Sequence, residues 1–280
     1  DDVRTMSNNR LDIHVYAGGE LVPALQVFDA VSAGTVEMGH GSPYYWAGKV
    51  PEAQFFSSVP FGMTAKGMNA WLYNAGGLEL WNEIYKPFNL MAFPMGNTGV
   101  QMGGWFNKQI NSMEDIKGLR MRIPGLGGKV FKKAGGNPVL MAGSEVYTAL
   151  ERGTIDATEW VGPWNDLAFG FHKIVKFYYF PGFHEPGSGL AFSMNKKVWD
   201  GLMDSDKAIV QASCAAENDI MYAEFNARNN DTLTTLVREH DVKLRKMNDR
   251  ILNEIGRHSG ELMAETVAEG GITKRVYDSF

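Results

Sequence analysis

The chain reads as an α/β protein of two lobes, on three observations. A strand, a helix and a second strand succeed one another near the N-terminus, the same rhythm resumes between residues 112 and 159, and the last third changes to long helix. Alternating strands and helices imply parallel sheets with helical cover. Their recurrence after a break implies two lobes rather than one large sheet.

Residues 11–16, LDIHVY, alternate apolar and polar side chains and stop at Gly18-Gly19, the pattern of a half-buried strand. Leu21, Leu25, Phe28 and Val31 then recur at helical spacing, with Gly34 placed to end the helix. Residues 35–40 form a short strand that runs into a loop crowded with rings at Tyr44, Tyr45 and Trp46. This order implies a βαβ unit, and ligand sites in such sheets lie off the carboxyl ends of the strands, where the loop falls. Residues 65–85 read as helix broken at Gly76-Gly77, and residues 88–93 as an apolar strand.

In residues 112–123, SMEDIKGLRMRI, a helical turn closed at Gly118 precedes a strand in which Arg120 and Arg122 share one face. A glycine-rich turn after Pro124 leads into a helix ending near Gly135-Gly136. Ser144 is placed to cap a helix from Glu145 to Arg152, Gly153 ends it, and residues 155–159 follow as a short strand. From Asp204 to His240 apolar residues keep helical spacing, interrupted only by Asn229-Asn230-Asp231, so one long helix or two in succession are expected. Residues 242–247 alternate like a strand and 249–269 return to helix; this last third would brace both lobes from outside.

A length of 280 residues with 44% hydrophobic and 21% charged side chains suits a globular chain of two ordinary domains. The net charge of -5 and scattered basic residues argue against a phosphate-backbone partner. Lys129, Lys132 and Lys133, the densest basic group, sit at helical spacing as a solvated face. Cys214 is the one cysteine, which rules out an intrachain disulfide and any CxxC motif; in AIVQASCAAEND it reads as a small buried hydrophobe. No apolar run reaches the roughly 18 residues that span a bilayer. The start, DDVRTMSNN, is polar and unlike a signal peptide, so a soluble chain is expected, any targeting segment being removed or not included.

Two carboxylates stand out. Glu159 sits beside Trp160 after a short strand, and Glu185 sits in the turn Phe183-His184-Glu185-Pro186. Each would be costly to desolvate without a cation or donors. Two carboxylates with carbonyl and amide oxygens suit a hard cation such as Ca²⁺ better than Zn²⁺, although two ordinary hydrogen-bonded glutamates explain the spacing equally well. Arg122, at a strand end before Pro124-Gly125, would present its fork to a carboxylate; an exposed strand arginine is the plainer alternative. Gly125–Lys129 lacks the GxxxxGK[ST] and GxGxxG spacings and reads as a turn rather than a nucleotide loop. His184 is isolated, as structural histidines are. The rings of Tyr44, Tyr45, Trp46, Phe93, Trp105 and Trp160 line a ligand pocket or pack the core.

The strings YAGGELVPALQVFDAVSAGTVEMGH, GNTGVQMGGWFNK, GLRMRIPGLGG, EVYTALERGTIDATEWVGPWND and YYFPGFHEPGSGLAFSMNK resemble the DctP-type solute-binding proteins of TRAP transporters, in the branch that binds 2-oxo acids and lactate. The similarity runs from about residue 10 to about residue 270. It implies a two-lobe fold like that of the type II periplasmic binding proteins, with hinge strands and a long bracing helix. Lobe one would be residues 1–95, lobe two with the site 96–188, and the returning, bracing segment 189–280. It further implies that the chain is periplasmic and delivers a small carboxylate to membrane TRAP subunits. The family's signature arginine falls on Arg122, and the ligands of a bridging cation fall on Gln101, Glu159, the Trp160 carbonyl and Glu185. Two negative side chains there favour Ca²⁺ over Na⁺. Tyr45, Gln101, Glu159 and Trp160 would join Arg122 around the bound acid. A homodimer through the long C-terminal helices is implied by the resemblance alone.

Family members carry a strand-helix unit before the segment matched by LDIHVYAGGE, and here only what resembles the tail of that helix precedes it, so the first strand of lobe one is expected to be missing. The expected role is binding without catalysis, since no nucleophile, base and orienting partner gather at one place. Its rival is a metal-dependent lyase or hydrolase of oxo acids in which Glu159 and Glu185 hold the metal and His184 is the acid or base. A sensory binding module is a third reading and needs a signalling partner that the chain does not contain.

Overall fold

A computed structural model describes residues 2–280. After helix α1 (Asp2–Met6), residues 11–17 run without regular structure. The strand expected at 11–16 does not form among the described residues. Val15 is 91% exposed and Tyr16 52%; alternation becomes a strand only where a neighbour takes up its N–H and C=O groups. The first helix also begins later than its spacing suggests, because the residue before Pro23 is pushed out of the helical region. A 3₁₀ turn at Ala24–Gln26 passes into α2 (Val27–Ala33), and Gly34 closes it at φ 76°.

Strand β1 (Met38–Gly41) leads into the ring-bearing 3₁₀ turn Pro43–Trp46. Helices α3 (Ala65–Asn74) and α4 (Gly77–Tyr85) divide at Gly76 as expected. Strand β2 (Leu90–Asn97) starts two residues late, since Asn89 takes a left-handed conformation to close the turn Lys86–Phe88. The chain then forms β3 (Gly104–Phe106), β4 (Arg120–Arg122), α5 (Gly125–Lys133), β5 (Asn137–Val139), α6 (Gly143–Glu151), β6 (Ala157–Thr158), α7 (Pro163–Phe169) and β7 (Phe177–Phe180). It closes with β8 (Gly189–Asn195), α8 (Lys196–Gly201), α9 (Asp204–Glu239), β9 (Lys243–Lys246), α10 (Asp249–Ala268) and α11 (Gly271–Ser279).

Two local expectations change, and of the two readings offered for residues 204–240 the single helix is found. The glycine-rich turn is the first turn of α5, where a Cβ on Gly128 would lie 2.4 Å from the Ile123 carbonyl oxygen. Helix α6 starts before Ser144, which therefore lies inside it; Glu145 reaches back to the Ala142 N–H at 3.1 Å. Residues 204–239 form one helix, and Asn229 does not break it because its side chain is engaged outside the helix, accepting from the Trp164 N–H at 3.0 Å.

The expected parallel βαβ arrangement is found for β4, β5 and β6 with α5 and α6, but not near the N-terminus, and the strands form two sheets of different kinds. In the smaller, ordered β1-β8-β2, the returning strand β8 lies between the other two and runs antiparallel to both. The larger is ordered β5-β4-β6-β3-β7-β9, with parallel pairs at β4·β5, β4·β6 and β7·β9 and antiparallel pairs at β3·β6 and β3·β7. Antiparallel pairs arise because the chain leaves one sheet for the other and comes back.

Residues 98–103 and 181–188 make these crossings side by side. Thr98 N–H donates to the Ser188 carbonyl, Gln101 N–H to Glu185 and Gly182 N–H to Gln101, each at 3.0 Å. Helix α9 braces both lobes from outside. Val210 and Cys214 pack with Phe93 and Phe192 of the smaller sheet, while Leu236 packs with Trp105 and Tyr178 of the larger. Asn218 accepts from the Gly96 N–H at 3.2 Å, and Asn229, three turns further along the same face, holds Trp164. Under the smaller sheet, Phe56 is stacked between Trp71 and Trp81 at 4.9 and 5.0 Å, contacts of about 0.5–1.5 kcal/mol each beyond their burial.

Candidate ligand and cation site

Arg122 ends β4 and Glu159 follows β6, its parallel neighbour in register. The Glu159 N–H continues the ladder to the Arg122 carbonyl at 3.1 Å. Both side chains thus stand at carboxyl ends of adjacent parallel strands, where open α/β sheets bind ligands. Arg122 is 1% exposed and Glu159 0%. A buried ion costs several kcal/mol unless it is met, and here each is. Arg122 Nη1 donates to Glu159 Oε1, and Nη2 donates to the Tyr45 hydroxyl at 2.9 Å. The guanidinium also lies over the Trp160 ring at 4.8 Å.

Arg120 does not share this environment. It is exposed and forks onto Asp156 at 2.7 and 2.9 Å. The period of two holds for the backbone, but only the far end of the strand is covered, by the Tyr44–Tyr45 turn of the smaller lobe.

The crossing segments supply the rest. Gln101 and Glu185 are each 3% exposed and His184 is 2% exposed. Gln101 Nε2 donates to Thr98 Oγ1 at 3.2 Å, which leaves Oε1 without a protein partner. Glu185 Oε2 likewise has none. His184 Nε2 meets Glu159 Oε2 at 3.3 Å, and one ligand atom from each of Glu159, His184 and Glu185 falls within 4.8 Å of the others. Two buried donors, Arg122 Nε and Trp160 Nε1, are also without partners. Among the described residues no hydrogen bond is made to the Trp160 carbonyl.

Electrostatics follow from this crowding. Burial pushes the Glu185 acid up to about 7, and the charge of Glu159 adds to it. Burial opposes a charge on His184, but the hydrogen bond and charge of Glu159, with Glu185, outweigh it and raise its pKa. Arg122 is raised in the same way, burial being overcome by Tyr45 and Glu159. Three ionisable side chains and one buried guanidinium thus share a buried space in which both oxygens and N–H groups lack protein partners. A hard cation fits these residues: amide and carboxylate oxygens are the donor set it takes. The spare Arg122 and Trp160 N–H groups suit a carboxylate beside it.

All the residues singled out as site candidates, Tyr45, Gln101, Arg122, Glu159, Trp160 and Glu185, come together here. The wider ring set does not. Trp46 donates to Tyr85 in the core at 2.8 Å, Phe93 packs on Trp199, and Trp105 stacks on Tyr178. His184 belongs to the cluster although its isolation in sequence argued otherwise. Thr98 and Asp166 were missed: Thr98 meets Gln101 three residues away with no motif to mark it, and Asp166 joins its own loop to Trp105 and Tyr178 of other strands.

The family described as DctP, bacterial extracellular solute-binding protein, family 7, matches residues 1–269. A monocarboxylate 2-oxoacid-binding periplasmic protein of Nostoc sp. is 44% identical over 99% of this chain and 76% of its own length. The crystal structure of a TRAP solute-binding protein from Bordetella bronchiseptica, a dimer with calcium and picolinate in one site, superposes with a TM-score of 0.97 at 36% identity, covering 99% of this chain and 82% of that one. One from Pseudoalteromonas atlantica with bound sodium and pyruvate gives 0.96 at 43% identity, covering 99% and 84%.

Proposed function

The chain belongs to the DctP family of bacterial extracellular solute-binding proteins, and from that premise we propose that it is the periplasmic binding subunit of a TRAP transporter, capturing a small 2-oxo or 2-hydroxy monocarboxylate together with a cation. The observation that carries this reading is the set of unpartnered buried atoms around the Arg122–Glu159 pair: the Gln101 and Glu185 oxygens, the Arg122 and Trp160 N–H groups and His184 Nδ1. A cation bound there would offer positive charge to the carboxylate and the adjacent oxygen of the acid. Gln101, Glu159, the Trp160 carbonyl and Glu185 would hold it.

Arg122 has five N–H groups. One is committed to Glu159 and one to Tyr45, which leaves the Nε edge for the ligand carboxylate. Tyr45 comes from the smaller lobe and Arg122 from the larger, so their bond forms only when the lobes are closed. Closure removes water, and each polar contact inside strengthens. The proposal keeps residues 1–95 and 96–188 as the two lobes and 189–280 as the returning, bracing segment, because the crossings lie at 98–103 and 181–188. It also includes docking to the membrane TRAP subunits and pairing of two copies, as in the dimer from B. bronchiseptica. Ca²⁺ is favoured over Na⁺ by the two carboxylates. The rival oxo-acid lyase needs His184 to act on the substrate; its Nε2 is engaged by Glu159 and only its Nδ1 is without a protein partner.

Calorimetric titration of pyruvate, lactate and longer 2-oxo acids, with Ca²⁺, with Na⁺ and after chelation, tests the reading. Heat for at least one acid, lost on chelation and restored by a cation, is expected. No heat for any of them refutes it.

A further inference from the structure

We infer that Asp166 is the positioning residue of this site, a single buried carboxylate that ties together the three segments bearing Gln101, Glu159, Trp160 and Glu185. The inference rests on the proposed cation and 2-oxo acid site. Asp166 lies in the first turn of α7 and is 1% exposed. Its Oδ1 accepts from the Val161 and Gly162 N–H groups at 3.2 and 3.1 Å, immediately after Glu159 and Trp160. Its Oδ2 accepts from Trp105 Nε1 at 2.9 Å and from the Tyr178 hydroxyl at 2.7 Å. Trp105 stands on β3, just beyond the crossing that carries Gln101. Tyr178 stands on β7, just before the crossing that carries Glu185.

These two rings are register partners and stack at 3.9 Å, so Oδ2 grips both crossings at one point. A further bond, from the Met102 N–H to the Val161 carbonyl at 3.2 Å, joins the same loop to the first crossing. All four donors approach a group that has no spare capacity for a ligand, so Asp166 acts on the site through its neighbours. The need for a carboxylate is specific. An asparagine offers one acceptor oxygen and one NH₂, and could satisfy either the loop or the Trp105 indole, never both.

The position of the Trp160 carbonyl relative to Gln101 and Glu185 is therefore set by the two edges of one side chain. Groups that orient metal ligands in this way typically contribute 10- to 100-fold in affinity.

The test compares Asp166→Asn with Asp206→Asn, which removes another buried carboxylate, paired with Arg10 far from the site. Both are titrated with Ca²⁺ alone and with pyruvate at saturating Ca²⁺, at a temperature where unfolding curves show the protein folded. Asp166→Asn is expected to weaken both by about 10- to 100-fold, and Asp206→Asn to leave them unchanged. Terbium in place of Ca²⁺, with a Trp160→Phe variant subtracted, adds a readout that a purely structural role would not move: the sensitised emission per bound ion changes in Asp166→Asn and not in Asp206→Asn. Wild-type affinity and emission in folded Asp166→Asn overturn the inference. Should that variant fail to fold, Trp105→Phe removes one donor while keeping the ring, and an unchanged Ca²⁺ affinity there overturns it equally. If the wild-type protein takes Ca²⁺ but no 2-oxo acid, the ligand assignment fails while the Ca²⁺ titrations still decide the role of Asp166. Absence of both Ca²⁺ and acid binding in the wild type overturns both.

Discussion

Gln101 and Glu185 are joined across the two chain crossings, the Gln101 N–H donating to the Glu185 carbonyl at 3.0 Å, and each side chain ends in a buried oxygen without a protein partner. The same segments that connect the lobes thus carry half of the candidate cation ligands. Arg122 and Glu159, by contrast, are held by strand ends of the larger sheet. The candidate cation ligands thus all come from residues 96–188, and Tyr45 is the contact brought to Arg122 from the smaller lobe.

Replacing Glu185 by Gln keeps its shape and removes its charge. Saturation at about 100 times the dissociation constant stabilises a folded protein by about 2.7 kcal/mol, roughly 5–10 °C for a chain of this size. Wild-type protein is expected to show that Ca²⁺-dependent rise in scanning fluorimetry, and Glu185→Gln to lose most of it. A full rise in the variant would remove Glu185 from the cation site.

In the cation-free protein the contribution of the site groups to stability should fall as pH rises from about 4 through 7, against the opposite contribution of His40 and His172, whose pKa values burial lowers. Glu185 moves from an ordinary 4.5 to about 7, Asp166 from 3.8 to about 6, and His184 is raised above 6.5. In each case the folded state binds a proton that the unfolded state has already lost, so the contribution is complete below the unfolded value and disappears as pH passes the folded one. Saturating Ca²⁺ takes the place of the Glu185 proton and should flatten the decline. Urea midpoints of the wild type and of Glu185→Gln measured across this range, with chelator and with Ca²⁺, check it; a pH dependence in chelator that is unchanged by Glu185→Gln contradicts the assignment.

Arg122→Ala should abolish carboxylate binding and also destabilise the protein by about 3–5 kcal/mol, because it leaves Glu159 buried and unpaired. Removing both partners, as Arg122→Met with Glu159→Gln, should recover most of that stability with no recovery of binding. Chemical denaturation of the single and double variants separates the two effects. An additive loss would mean that the pair is not coupled.

Tyr45→Phe removes one hydroxyl and with it the 2.9 Å bond to Arg122 that links the lobes. Hydrogen bonds to charged groups contribute about 1.5–3 kcal/mol, so ligand affinity should fall by at least about 10-fold. The loss belongs in the dissociation rate, since the bond forms after capture. Stopped-flow fluorescence that shows slower association with unchanged dissociation would rule out this closing role.

Much of the architecture was legible in local pattern. The break at Gly76, the stop at Gly34, the buried helical Cys214 and the helical character of 204–239 follow from spacing and from residues whose conformational limits travel with them, while the choice between one helix and two did not. Arg122, Glu159 and Glu185 were recognisable as candidates because charged side chains among rings and turns are costly to bury. Composition, too, argued against a nucleic-acid partner without coordinates. Spacing could not decide whether those charges meet. Arg122 and Glu159 are 37 residues apart and come together only because β4 and β6 pair in parallel.

The failures share a cause with that limit. Residues 11–16 have the alternation of a strand, yet a strand exists only through the hydrogen bonds of a neighbour. Arg120 and Arg122 have the same periodicity, yet one is solvated and the other covered, because the covering turn at Tyr45 comes from the other lobe. Local sequence thus determined the elements, their ends and the residues too costly to bury alone. Pairing order, the direction of β8 and the joining of Gln101 to Glu185 were decided by tertiary structure, since those bonds link groups that are distant in the chain and carry no mark of each other within it.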